Sequence, residues 1–111
     1  MIPATEPVLR GPSEAYLNRR IARICGVAEQ EITKDLNAVT PLVEKWCDEH
    51  DKFLEITRIP RGNYAYIVFI SDQVELAGAD VVFAQEQTLG KALASVLSHA
   101  HLHWAAQTQL E

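Results

Sequence analysis

The chain has 111 residues, 48% of them hydrophobic and 23% charged, and fifteen acids against ten bases give a net charge of −5. That length predicts one domain, with enough core to need neither disulfide nor metal, and the composition excludes a disordered, collagen-like or disulfide-scaffold chain. No apolar run approaches the roughly 20 residues that cross a bilayer, and Met1–Pro12 lacks the apolar core of a signal peptide.

Residues 1–12, with Pro3 and Pro7 among small side chains, read as an extended arm ahead of the domain. Ser13 is then a good N-cap, and Leu17, Ile21, Ile24 and Cys25 recur at helical spacing before Gly26, a typical helix stop. The spacing predicts a helix over 14–25. Residues 27–34 are polar and acidic around Val27 and Ile32 and read as a connection. Leu36, Val39, Leu42, Val43, Trp46 and Cys47 form a second helical stripe, ending near His50. Its start is open between Thr40-Pro41 as N-cap and N1 and an earlier cap at Asp35 or Asn37.

The period then changes from 3.6 to 2. Phe53–Ile59 and Tyr64–Ile70 read as two strands of a hairpin around the turn Pro60-Arg61-Gly62-Asn63. A polar loop over 71–78 leads to a shorter third strand over 79–84. Thr88 caps a last helix whose stripe is Leu89, Leu93, Val96, Leu97, Ala100 and Trp104. The domain is expected over 13–106, with 107–111 as a tail. The order α-α-β-β-β-α predicts an α+β domain with helices packed on an antiparallel sheet of about three strands. The second strand is apolar on both faces, which favours helical cover on both sides, a three-layer α/β/α sandwich.

The opening helix Leu17–Gly26, the segment Asp35-Leu36-Asn37-Ala38-Val39 leading to Leu42–Trp46, the aromatic second strand and the last-helix start Thr88–Leu93 together resemble the phage ABA sandwich family. The likeness runs over about residues 14–100 and is one of order and pattern, without an invariant signature. Pro41 in the second helix departs from it, and the residues between hairpin and last helix do not align cleanly. The resemblance implies an α/β/α sandwich and a phage or prophage accessory role, and it carries no catalytic residues to transfer.

Charge and chemistry narrow the function further. Residues 62–111 hold five acids and a single base, Lys91. The basic cluster Arg19, Arg20 and Arg23 is too small for direct nucleic-acid binding, which needs an extended basic stripe. Cys25 and Cys47 fall on apolar faces and read as buried hydrophobes in a reducing, cytoplasmic setting. There is no Gly-x-Ser-x-Gly and no glycine-rich phosphate turn, so no catalytic or cofactor-binding residue is assigned. Cys47 and His50 have a legal spacing for two metal ligands, as do His99 and His103, but neither pair makes a closed site. His103 is placed on the apolar stripe of the last helix, His99 at its edge and His101 well away. No metal site is expected.

Two surface groups remain as candidate partner contacts. Arg19, Arg20 and Arg23, with Tyr16 one turn away, lie opposite the first helix's apolar stripe and suit an anion or acidic partner. Arg58, Arg61 and Asn63 surround the hairpin turn, and Tyr and Arg are the types enriched at interface hot spots. The leading expectation is a non-enzymatic protein that binds another protein, possible partners including a basic nucleic-acid-handling factor. The alternative is self-association through a strand edge or Trp104 and the C-terminus; a small enzyme or metal protein comes third.

Overall fold

The computed structural model describes residues 13–60, 65–73 and 78–110, with 106–110 described in backbone only. The expected arm over 1–12 and the hairpin-turn residues Arg61 and Asn63 lie outside the described residues.

Helix α1, Glu14–Cys25, begins where the sequence predicts: the Tyr16 N–H donates to Ser13 Oγ at 3.1 Å. It ends at Gly26, whose φ of 68° is the left-handed conformation that favours glycine. A helix of 12 residues is marginal alone. Burial of Leu17 and Ile21, both fully enclosed, adds about 1.5–3 kcal/mol each and ties it to the core.

The connection after α1 does more than bridge. Ile32–Lys34 forms a short 3₁₀ turn with Ile32 fully buried. The Thr33 N–H donates to Asn18 Oδ1 at 3.1 Å, and its hydroxyl to Glu14 Oε1 at 2.9 Å. Both bonds run back to α1 and fix the turn against it. Helix α2, Leu36–Glu49, takes the earlier of the possible starts, with Asp35 Oδ1 accepting the Asn37 N–H at 2.9 Å. Pro41 is thereby inside the helix rather than at its first position.

The sheet is antiparallel, in the order β1 (Phe53–Arg58), β2 (Tyr66–Ser71), β3 (Val81–Glu86). The second and third strands start two residues later than the sequence suggests, and the third strand is confirmed as a full partner of the second, Phe69 facing Phe83 across the ladder. Helix α3, Leu89–Leu110, is capped by Thr88, whose Oγ1 accepts the Lys91 N–H at 3.3 Å. The fold is α+β with the predicted order α-α-β-β-β-α.

The register assigns each strand residue to a face. Leu54, Ile56, Val68, Ile70, Val82 and Ala84 share the face on which α3 packs against β2 and β3. On its other side α3 packs against α1 and α2. It is therefore an inner helix, and every residue from Ala92 to Ser98 is buried, serines included. At its start, Gly90 rests on the 3₁₀ turn: a Cβ there would collide with the Thr33 carbonyl oxygen. Where the sequence suggests helical cover on both sheet faces, the described helices gather on one. α2 reaches β1, but Phe53, Val81 and Phe83 on the opposite face stay exposed.

Candidate functional site

The predicted contact residues do not form one group. On α1, Arg19 and Arg23 are exposed, with Tyr16 beside them 41% exposed. Arg20 departs from the expectation of an outward-facing cluster. It is half-buried, and its Nε points at Ser98 Oγ of α3 at 3.5 Å. The reason is packing: Ser98 is small and buried, so α3 leaves room for a guanidinium at the seam with α1. Arg58 is exposed at the end of β1, its guanidinium over the Tyr66 ring at 5.4 Å, directly across the ladder. It lies on the sheet edge away from β3. Arg61 and Asn63 are outside the described residues.

The three histidines of α3 point in three directions. His99 is exposed, His103 Nε2 lies 2.8 Å from Asp80 Oδ1 just ahead of β3, and His101 is half-buried, burial first and then the charges of Arg20 and His50 lowering its pKa. His103 thus packs at the sheet margin, as its place on the stripe predicts. The spacing of His99 and His103 does not gather ligands: among the described residues, no group of three or more His, Cys, Asp or Glu side chains is placed to hold a metal ion.

Cys47 and His50 also separate in role. The Cys47 thiol is buried, and burial first, then the carboxylates of Asp48 and Glu44, push its pKa up to about 11. A thiol held protonated in this way is a poor nucleophile at neutral pH. His50 instead stacks on Trp46 at 4.2 Å, its Nδ1–H donating to the Trp46 carbonyl at 2.8 Å. Cys25 is half-buried, and both cysteines are free. Glu86 is buried, which pushes its pKa up, while Lys91 Nζ at 3.5 Å opposes the shift. The pair joins β3 to the first turns of α3, a structural contact.

An exposed apolar surface lies around β3. Phe83 and Leu102 are each 55% exposed, and Val81 is exposed with them. With Val82, His99 and His103 they line an open groove of about 470 Å³ between β3 and α3. On the outer sheet face the Phe69 ring lies 6.0 Å from that of Phe83, and Phe53, across the ladder from Ser71, is exposed on the same face. Among the described residues β3 has β2 as its one ladder partner, and no described strand pairs with its far edge. The sequence did carry this signal. Val81 and Phe83 alternate with Val82 and Ala84, so β3 is apolar on both faces, as β2 is.

No family model matches the chain, and neither a curated protein nor a solved structure does. No helix among the described residues is long and apolar enough to cross a membrane.

Proposed function

We propose that this protein is a small non-enzymatic accessory protein that acts by binding another protein, in the phage or prophage setting that the resemblance to ABA sandwich domains implies. The observation that carries the reading is the exposed apolar patch around β3, centred on Phe83 and Leu102. Apolar groups gathered beside a strand edge that no described strand covers are an interaction feature, because a partner strand can pair with the edge while its side chains fill the groove. The net charge of −5 favours a partner that is basic around its apolar contact, since complementary charge speeds encounter and disfavours wrong partners.

Self-association is the second reading, favoured by the same edge, because a second copy would supply an identical strand. Two measurements separate the readings. Light scattering on the purified chain at tens of micromolar is expected to give a monomer. Immobilised chain is expected to retain a protein from a lysate of its source cell, and Phe83→Arg, folded by circular dichroism, is expected to lose it. Retention unchanged by Phe83→Arg and by Leu102→Arg overturns the assignment to this patch. A stable dimer that Phe83→Arg dissociates establishes the second reading instead.

A further inference from the structure

The residues that line the groove beside β3 define its course. Val81 and Phe83 stand on the outer face of the sheet and Val82 on the inner face, because successive strand residues alternate. All three line the same groove of about 470 Å³. A groove on one face would take one set or the other, so this one runs along the edge of the strand. The near edge is hydrogen-bonded to β2, and no described strand pairs with the far one. The opposite wall is α3, which presents His99, Leu102 and His103 at i, i+3 and i+4, a single helix face. Bounded by a strand edge on one side and a helix face on the other, the groove lies where a fourth strand would lie.

Each position of such a strand meets a stated chemistry. Residues opposite Val81 and Phe83 would stand on the outer face beside the exposed Phe83 ring, where β-branched and aromatic side chains make favourable cross-strand pairs. The residue opposite Val82 would point inwards, against the exposed Leu102 of α3. Three consecutive apolar residues therefore fit. The two ends differ in charge. At the end of β3, Glu86 is buried and paired with Lys91 at 3.5 Å. Ahead of its start, Asp80 lies 2.8 Å from His103, and its N–H donates to the carboxylate of the exposed Asp72 at 3.0 Å. Accessible negative charge is thus found at the start, in a half of the chain, residues 62–111, with five acids and a single base. The sheet is antiparallel throughout, the slightly more stable pairing, and a strand added in that sense brings its C-terminal side to Asp72 and Asp80.

We propose that the occupant of this groove is an extended segment of a partner protein that joins β3 as a fourth, antiparallel strand, with three or more consecutive β-branched or aromatic residues followed by lysine or arginine. This rests on the assignment of partner binding to the β3 patch and specifies what the partner presents there. Backbone pairing along the edge supplies affinity, and the apolar run covers Val81, Phe83 and Leu102. The basic end, set against Asp72, fixes the direction of the strand.

The test is a titration of the isotope-labelled whole chain with the acetylated, amidated peptide Ser-Thr-Val-Ile-Tyr-Lys-Lys, followed by NMR. Saturable shifts are expected in β3 and at His99, Leu102 and His103, with β3 amides exchanging more slowly in the complex. Two versions of the peptide are methylated on alternate backbone nitrogens. In an antiparallel pair the amides of alternate residues face the neighbouring strand, so one version is expected to bind about tenfold more weakly and the other to bind as before. Exchanging both lysines for glutamate is expected to weaken binding about fivefold at low salt, and less at high salt. Equal effects of the two methylations, undiminished binding of the glutamate peptide, or no saturable shift at all would each overturn the proposal. If folded Phe83→Arg loses the peptide while the two methylations act equally, the patch stands and only the added strand falls. A stable dimer of the chain that the peptide leaves intact overturns the proposal in favour of a second copy.

Discussion

At Gly90 the absence of a side chain is a packing requirement. Its φ is ordinary and its helix would by propensity prefer alanine by about 1 kcal/mol. The Thr33 carbonyl occupies the space a Cβ needs, and a backbone atom held by two bonds to α1 has little freedom to retreat. Overpacking of this kind costs about 1–3 kcal/mol or more, so the clash outweighs the propensity. Gly90→Ala is expected to lower stability by at least about 1 kcal/mol in urea titration; a gain would mean that α3 does not rest on the 3₁₀ turn. Arg20 teaches the same lesson at the residue scale. The sequence reading put it opposite the apolar stripe of α1, but at ~100° per residue it stands beside Ile24 and Leu17 at the edge of that stripe, from where it turns in towards Ser98, 78 positions away.

Helix α2 shows how far one element can be read. Its apolar stripe was plain, while three residue pairs or singles competed for its start. Asp35 prevails because its carboxylate satisfies an N–H of the first turn and its own N–H donates to the Ile32 carbonyl at 3.1 Å, which ties the helix start to the 3₁₀ turn. The same choice places Pro41 in the interior, where its missing N–H leaves the Asn37 carbonyl without its helical donor. Both residues are exposed, so water can serve that carbonyl and the helix continues. Asp35→Ala is expected to destabilise the protein by about 1 kcal/mol, measured by thermal or urea unfolding. A loss below the error of the measurement would point to a start at Thr40-Pro41. For α3 the stripe was correctly placed, but the helix is buried around most of its circumference. The clue was the small residues Ala92, Ala94, Ser95 and Ser98 between the large ones, which let α1 and α2 approach its back.

Across the molecule, cooperativity should follow the layers. β2 is hydrogen-bonded on both sides and lies under α3, so its amides over 66–71 and those of Ala92–Ala100 are expected to exchange slowest with solvent. Hydrogen exchange read residue by residue checks this, and β2 amides exchanging as fast as those of Phe53–Arg58 would contradict the layering. The amino-acid sequence by itself determined the α+β class, the order of the six main elements, the caps at Ser13 and Thr88, and the stripes that form the core, because these depend on neighbours within one turn of helix or two residues of strand. Which face of the sheet those stripes cover depends on how separate elements share a limited apolar surface. An apolar pattern on both faces of β2 is the same string of residues whether a second helical layer or a partner supplies the cover. Only the tertiary arrangement decided it: α3 is spent between the sheet and the helices α1 and α2, and the outer face with Phe53 and Phe83 stays open because no described helix is left to close it.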